Sequence, residues 1–331
     1  VPKFLIIDTN HLFHRVKHVV HGETHEKPGM LLHAMFMSLN KVWRKTNPDH
    51  AVFCFDSESW RKGVYSPYKA HRDKIEDKTP TEIEQDRLMF EAFRDFREFL
   101  ADKTACTVLK RHQLESDDLV SGFIQAHPTD EHIIMSGDGD FIQLLGTNVS
   151  MYDGLNDRLF TLSGIYDASG KLVIDKKTGE PLPLPDPAWS VFEKAIRGCT
   201  SDNIFSAYPG VRKKGSKNKV GLLEAFEDRH KKGFAWSSIM YTRWNDHTGI
   251  EHRVMDDYQR NVMLVDLTQQ PDNIKEEIAM AIFLGTTPKP VLGSSLNFLK
   301  FCRKNELHKL EDNERFIAPM LSAKYPCETT G

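Results

Sequence analysis

The sequence predicts an α/β fold: a parallel sheet layered with helices, followed by a helical C-terminal domain. Three observations carry this. Short β-branched and aromatic runs stand at FLIID (4–8), AVFCFD (51–56), CTVL (from 106) and HIIM (from 132). Between them apolar residues recur at helical spacing, the alternation expected of parallel strands joined by crossover helices. Beyond a proline-rich stretch at 180–187 the pattern turns mostly helical.

In order, 4–8 reads as the first strand, and Leu12, Phe13, Val16, Val19 and Val20 then mark a helix. Leu31, Leu32, Met35, Phe36, Leu39 and Val42 mark the next. The second strand, 51–56, runs into a polar, basic segment at 61–81 broken by Gly63, Pro67 and Pro80. Connections of that length in compact domains are usually functional, and the composition predicts that it is not ordered by itself. A helix follows from about 81 to 102, then the third strand and an acidic helix start, then the fourth strand. Residues 149–153 and 158–162 read as strands, and DASGKLVIDKKTGEPLPLPDP as a hairpin with a hinge. The expected domains are 1–185 and 186–331. Helices are expected in the second at 187–198, 218–232, 255–268, 271–284 and 291–304.

The bulk properties exclude several classes. At 331 residues the chain is long enough for a full core and two domains. A net charge of −3 announces no global attraction to nucleic acid. The figure conceals a segregation, with acids at strand ends and bases in local runs. Five scattered cysteines (54, 106, 199, 302, 327) show no zinc spacing and read as free thiols of a reducing compartment. No run approaches the ~18 apolar residues of a membrane span, and no leader precedes the first strand, so a cytoplasmic protein without membrane contact is expected.

Each predicted strand ends in carboxylates. An aspartate after a strand is commonly only the N-cap of the next helix, but here four strand ends repeat the arrangement. In an open parallel sheet the strand C-termini share one edge, where ligands bind. Asp8, Asp56, Glu115, Asp117, Asp118, Asp138 and Asp140 would gather in one crevice. Two carboxylates ~4 Å apart repel by roughly 4 kcal/mol at an effective dielectric of about 20. Such a cluster calls for hard cations, magnesium or manganese. Glycine between Asp138 and Asp140 would let both approach one ion. Two-ion sites suit phosphodiester hydrolysis, whereas GDGDF lacks the lysine and spacing of a Walker loop. The segment after Asp56 supplies Lys69 and Arg72 as phosphate clamps and Tyr68 as a base-stacking platform.

IIDTN, FCFD, YKAHRDK, ESDDL, SGDGDF and Ser201-Asp202-Asn203, in this order, resemble the flap endonuclease/5′-nuclease superfamily with its PIN-like nuclease domain. RNVMLVDLTQQPDNI at 260–274 is similar to the T-even-phage ribonuclease H branch. The resemblance implies that Asp8, Asp56, Glu115 and Asp117 hold a first ion, with Asp118, Asp138 and Asp140 nearby or bridging to a second. Asp8, Asp56 and Asp138 would then be catalytic together with Lys69 and Arg72, the basic pair of a helical arch over 61–81. Arg15 matches a phosphate-contacting arginine, and Asp202 the last acid of a GDxxDN motif. Cys199 replaces the first aspartate of that motif, and a thiol is a poor magnesium ligand. PGVRKKGSKNKVGLLEAF at 209–226 resembles a helix-hairpin-helix with broken spacing. Arg212, Lys213, Lys214, Lys217 and Lys219 are expected to meet duplex phosphate there.

The implied function is that of a two-metal-ion 5′ nuclease, exonuclease and flap endonuclease in one. Its substrates would be branched or nicked DNA and RNA–DNA hybrids, as in primer removal. The implied setting is a bacterial or phage-infected cell, with a monomer working beside a single-strand binding protein and a sliding clamp. The alternative is a branched-DNA-binding protein whose catalysis is weakened by Cys199. A haloacid-dehalogenase-like phosphatase needs a second aspartate that Asp8-Thr9-Asn10 lacks. His11, His14, His18, His21 and His25 lie at 3-4-3-4 spacing and read as a polar face beside a substrate groove. Affinity for phosphate would then rise as pH falls toward 6.

Overall fold

The computed structural model describes residues 1–73, 78–217, 219–288 and 290–326. The buried runs form β1 (Lys3–Asp8), β2 (His50–Cys54), β3 (Thr107–Leu109) and β4 (Glu131–Met135), followed by β5 (Val149–Asp153), β6 (Arg158–Thr161) and β7 (Gly164–Tyr166). They make one sheet in the order β3-β2-β1-β4-β5-β6-β7. The first five strands pair in parallel, and β6 and β7 extend the sheet antiparallel. β1 and β2 are buried on both faces, which explains their unbroken apolar runs. The register sets Asp8 opposite Cys54 and Ile7 opposite Met135, so Asp8, Asp56 and Asp138 follow the same sheet edge. The chain leaves β1 in the middle of the sheet, with β2 on one side and β4 on the other: a topological switch point.

The chain divides into two compact units, and their limits differ from the expected boundary. The first holds the described residues of 1–58, 76–185 and 272–331; the second those of 59–75 and 186–271. Two segments therefore change sides.

Residues from 272 onward belong with the sheet because their apolar faces cover it. Phe298 and Phe301 join Phe36, Phe96 and Phe99 in the core beneath the helices Lys27–Thr46 and Pro80–Lys103. On the other face Phe4 packs edge-on against Phe123 of the helix Ser116–Ala126. The helix Asp272–Thr286 lies against that helix at Gly122, where a Cβ would come within 2.1 Å of the Ile278 side chain. Only glycine permits the approach.

The segment expected to arch from the first domain is built instead into the second unit. It holds a short helix, Arg61–Val64, and a 3-10 turn, Ala70–Asp73. Buried Arg61 donates Nε–H to the Leu264 carbonyl at 2.8 Å. Tyr68 packs with Ala195, Ile204, Leu264 and Val265. The rest of the expected arch either lies outside the described residues, at 74–77, or begins the helix Pro80–Lys103, which Thr79 and Glu82 start with a reciprocal capping box.

The second unit packs the helices Pro187–Arg197, Leu222–Asp228, Phe234–Met240 and Val254–Val265 around Phe192, Ile196, Leu222, Trp236 and Met240. A hairpin of β8 (Arg243–Asn245) and β9 (Glu251–Arg253) and the helix 234–240 went unforeseen. The helix expected at 218–232 runs only over 222–228. Among the described residues no helix is long and apolar enough to cross a membrane.

Candidate active site

Asp8 ends β1 and begins the next helix, so capping and clustering use the same side chain. Its Oδ1 accepts the His11 N–H (3.2 Å) and the Ser116 hydroxyl (3.0 Å), and its Oδ2 the Ser136 hydroxyl (3.1 Å). The residue is 4% exposed. Burial first, then the charge of Asp56 and more weakly that of Asp138, push its carboxyl up to about 7 against the hydrogen bonds. An acid so placed is short of positive charge.

The neighbouring strand ends converge on it. Asp56 follows β2; its N–H donates to Asn10 Oδ1 (3.1 Å), and its Oδ1 accepts the Ser116 N–H (2.7 Å). Burial and then the charges of Asp8, Asp117 and Asp56 drive the Cys54 thiol well above its ordinary range. Asp138 caps the 3-10 turn Gly139–Leu144 by accepting the Asp140 N–H (3.0 Å). Gly139 has no left-handed torsion, so the turn does not need glycine for its conformation.

Two of the expected ligands have structural duties. Glu115 and Asp118 cap the helix Ser116–Ala126 together, with Asp118 accepting the Glu115 N–H (3.2 Å). Asp118 is fully buried and caps the helix.

Among the described residues no three Asp, Glu, His or Cys side chains are already drawn into a closed ligand set. The donors nevertheless suit a hard cation. They are carboxylate oxygens, held by hydroxyls and backbone N–H groups, and their mutual repulsion raises a buried pKa.

The bases of this unit stand close by. The Arg15 guanidinium lies against Gly154 and in the field of Asp153, and burial pulls its pKa down. His11 approaches Asp138 and Asp153, and burial keeps its imidazole neutral to lower pH than usual. His14 packs edge-on against Phe13 and Phe90. The helix stops at Val19, so His21 and His25 leave the stripe that spacing predicted.

In the second unit the corrections are larger. Asp202, expected as a metal ligand, sits among cations: Arg72 Nη2 at 3.2 Å, Lys194 Nζ at 3.4 Å and Lys69 Nζ at 3.7 Å. The Cys199 thiol donates to its Oδ2 (3.4 Å). Burial alone would push this carboxyl up; Lys69, Lys194, the thiol and Arg72 together hold it below the usual range. Asp202 is thus the shared counter-ion of Lys69, Arg72 and Lys194 in this structure, where it was expected beside a cation.

The backbone locks this arrangement. Lys69 N–H donates to the Asp202 carbonyl (2.8 Å), Arg72 to the Ser201 carbonyl (2.9 Å) and Asn203 Nδ2 to the Pro67 carbonyl (2.7 Å). Gly198 turns the chain with φ +74°, where a Cβ would stand 2.3 Å from the Ile204 carbonyl oxygen. Tyr68 is only 4% exposed, a core residue and not a stacking platform.

Arg212, Lys213, Lys214, Lys217 and Lys219 are all exposed. Their loop is held from below by the Glu224 carboxylate, which accepts the N–H groups of Gly215 and Gly221 at 3.0 Å. A cavity of about 660 Å³ opens between Arg212, Lys217, Lys219 and Phe234.

Sequence reasoning missed Lys194, Asn10, Ser116 and Ser136. The last three each lie within two residues of an expected ligand (Asp8, Glu115 and Asp138), though each holds an acid from another strand end, and that adjacency was the available signal. Lys194 lies eight residues before Asp202 across a turn that only the fold reveals.

Comparison with known proteins bears on the family and the fold. Residues 3–171 match the family model described as 5′-3′ exonuclease, N-terminal resolvase-like domain. The chain is 27% identical over 229 residues to a 5′-3′ exonuclease of Mycoplasmopsis pulmonis, 68% of each chain being covered. It is 26% identical over 233 residues to the flap endonuclease Xni of Psychromonas ingrahamii, covering 68% of this chain and 78% of that one. The T5 D15 protein co-crystallized with metal ions superposes with a TM-score of 0.58 at 19% identity, over 85% of this chain and 98% of that one, a likeness of fold.

Proposed function

This chain belongs to the 5′-3′ exonuclease family marked by the resolvase-like N-terminal domain, and on that premise we propose that it is a structure-specific 5′ nuclease. It hydrolyses phosphodiesters of branched or nicked DNA and of RNA–DNA hybrids. The observation that carries the reading is Asp8: a buried carboxyl pushed up to about 7 by burial and by Asp56, at the sheet edge where ligands bind.

Asp8, Asp56, Glu115, Asp117, Asp138 and Asp140 would hold divalent ions, magnesium or manganese, in numbers up to two, and such ions activate water and stabilise a leaving oxygen. Asp202 is left out of that set. The protein's own groups do the rest. Ser116 and Ser136 fix both oxygens of Asp8, and Asn10 holds the backbone of Asp56. Lys69 and Arg72 meet phosphate as a pair oriented by Asp202. The exposed lysines of 212–219 bind duplex backbone, an attraction that salt weakens.

A second reading has one observation in its favour. Cys199 leaves the Asp202 turn without a second acid, and three cations occupy the one that remains. Such a protein would bind branches without cutting them efficiently. A 5′-flap substrate titrated with magnesium separates the two. Metal-dependent cleavage lost on chelation is expected; tight binding with no cleavage at any magnesium or manganese concentration would overturn the nuclease reading.

A further inference from the structure

A cavity of about 450 Å³ adjoins Asp56 and Asn10 in the first unit, under the helix Pro80–Lys103. Arg87, Phe90, Arg94 and Arg97 line it at a spacing that puts them on one face of that helix, and Lys110 closes it beyond β3. The charges there are unequal. Arg87 is neutralised by Glu84 and Glu91, each 2.6 Å away. Arg97 has Glu98 as its one ion-pair partner among the described residues, at 3.7 Å. Among the described residues Arg94 and Lys110 make no ion pair. Burial first, and then the nearby Arg97, pull the Lys110 ammonium down, while the charge of Asp56 opposes them.

The walls point the same way. Phe90 leaves 46% of its surface exposed beside the cavity, with its ring packed on Phe13 and His14 and with Lys17 Nζ 5.0 Å from its centre. An aromatic face next to paired arginines suits a base and a phosphate on one ligand. The volume falls in the range of small-ligand pockets.

We infer that this pocket binds one nucleotide of the substrate strand, with its phosphate on Arg94, Arg97 and Lys110 and its base against Phe90. Contact with Asp56 makes it the nucleotide next to the phosphate under attack. The assignment rests on the phosphodiesterase reading for its place in the reaction, but binding itself is measurable without catalysis.

In EDTA, dAMP and inorganic phosphate are titrated separately into the full chain by calorimetry. Saturable dAMP binding, tighter than that of phosphate, is expected. Arg94→Ala with Lys110→Ala should weaken it at least tenfold, and Phe90→Ala about fivefold with phosphate affinity unchanged, in line with base stacking on an aromatic side chain. The charge-preserving pair Arg94→Lys and Lys110→Arg should restore most of the affinity, and this separates loss of charge from misfolding. With magnesium and a 5′-flap substrate, the alanine pair should raise KM about tenfold and leave kcat within threefold. Binding of dAMP no tighter than phosphate, or unchanged in the alanine pair, would overturn the pocket. Nucleotide binding that depends on Arg94 and Lys110 in a chain that cleaves nothing would uphold the pocket and overturn the nuclease reading instead.

Discussion

Asp8 and Asp202 are buried to a similar degree, yet their surroundings push them in opposite directions. Around Asp8 stand other carboxylates, and its carboxyl rises to about 7. Around Asp202 stand Lys69, Lys194 and Arg72, and its carboxyl stays below the ordinary range. Both were expected to hold metal from their place in a motif. Residue type set what each could do, and neighbours decided which of them asks for a cation.

Asp8→Asn gives the largest contrast. Removing the central oxygen donor should lower kcat on the order of 10³-fold, about 4 kcal/mol of transition-state stabilisation. The metal-free variant should melt no lower than the parent at pH 7, because it no longer buries a repelled charge. The sign of the linkage supports this. A carboxyl whose folded pKa is raised to about 7 contributes stability that is fully present below its unfolded value of 3.8 and is lost as pH rises through 7. In EDTA the parent should therefore lose stability between pH 4 and 7, magnesium should restore it, and Asp8→Asn should flatten the slope. A parent whose metal-free stability was level across that window would break the comparison.

Tyr68→Ala asks whether the clamp segment is part of a core. Truncating a buried aromatic costs about 3 kcal/mol, read as a lower denaturant midpoint without DNA present. If stability held and only substrate KM rose, Tyr68 would be a stacking platform after all.

Asp202→Asn should cost about 2 kcal/mol, since three cations lose their shared anion while Arg72 stays half exposed. A depressed carboxylate contributes stability that is present above its unfolded pKa and is lost as pH falls through the lower folded one. The parent should lose this contribution below about pH 4, the variant not at all. Two acids in one chain would then show opposite pH slopes.

How much of this was legible beforehand follows from the physics of each feature. The strand ends could be read because a parallel sheet buried on both faces leaves unbroken apolar runs, and its geometry carries Asp8, Asp56 and Asp138 to one edge. The domain limits could not. Periodicity finds the helix Asp272–Thr286 but does not say that Ile278 will meet Gly122, 156 positions earlier in the chain. Lys69 and Arg72 were recognisable as a pair. Their partner was not, since Asp202 meets them only after the segment from 59 joins the second unit. Tyr68 misled because a tyrosine in a basic, proline-broken stretch looks exposed, while Ala195, Ile204 and Leu264, which bury it, lie more than 120 positions away.

The smallest expected effect is the sharpest test. Cys199→Asp restores the acid that the motif lacks, three residues before Asp202 and already in contact with it through the thiol. If the Asp202 turn is an ion-paired brace, a second carboxylate there only shares Lys69, Lys194 and Arg72, and cleavage should change less than threefold across a magnesium titration. If the turn is a metal site short of one ligand, the added oxygen should raise activity tenfold or more at limiting magnesium and shift the titration midpoint to lower concentration. The charge count favours the first outcome, because three cations already lie within 3.7 Å of the single carboxylate and a divalent ion would have to displace them. A large gain would show that substrate draws Lys69 and Arg72 away from Asp202. The brace would then be a resting state of the clamp, not its working form.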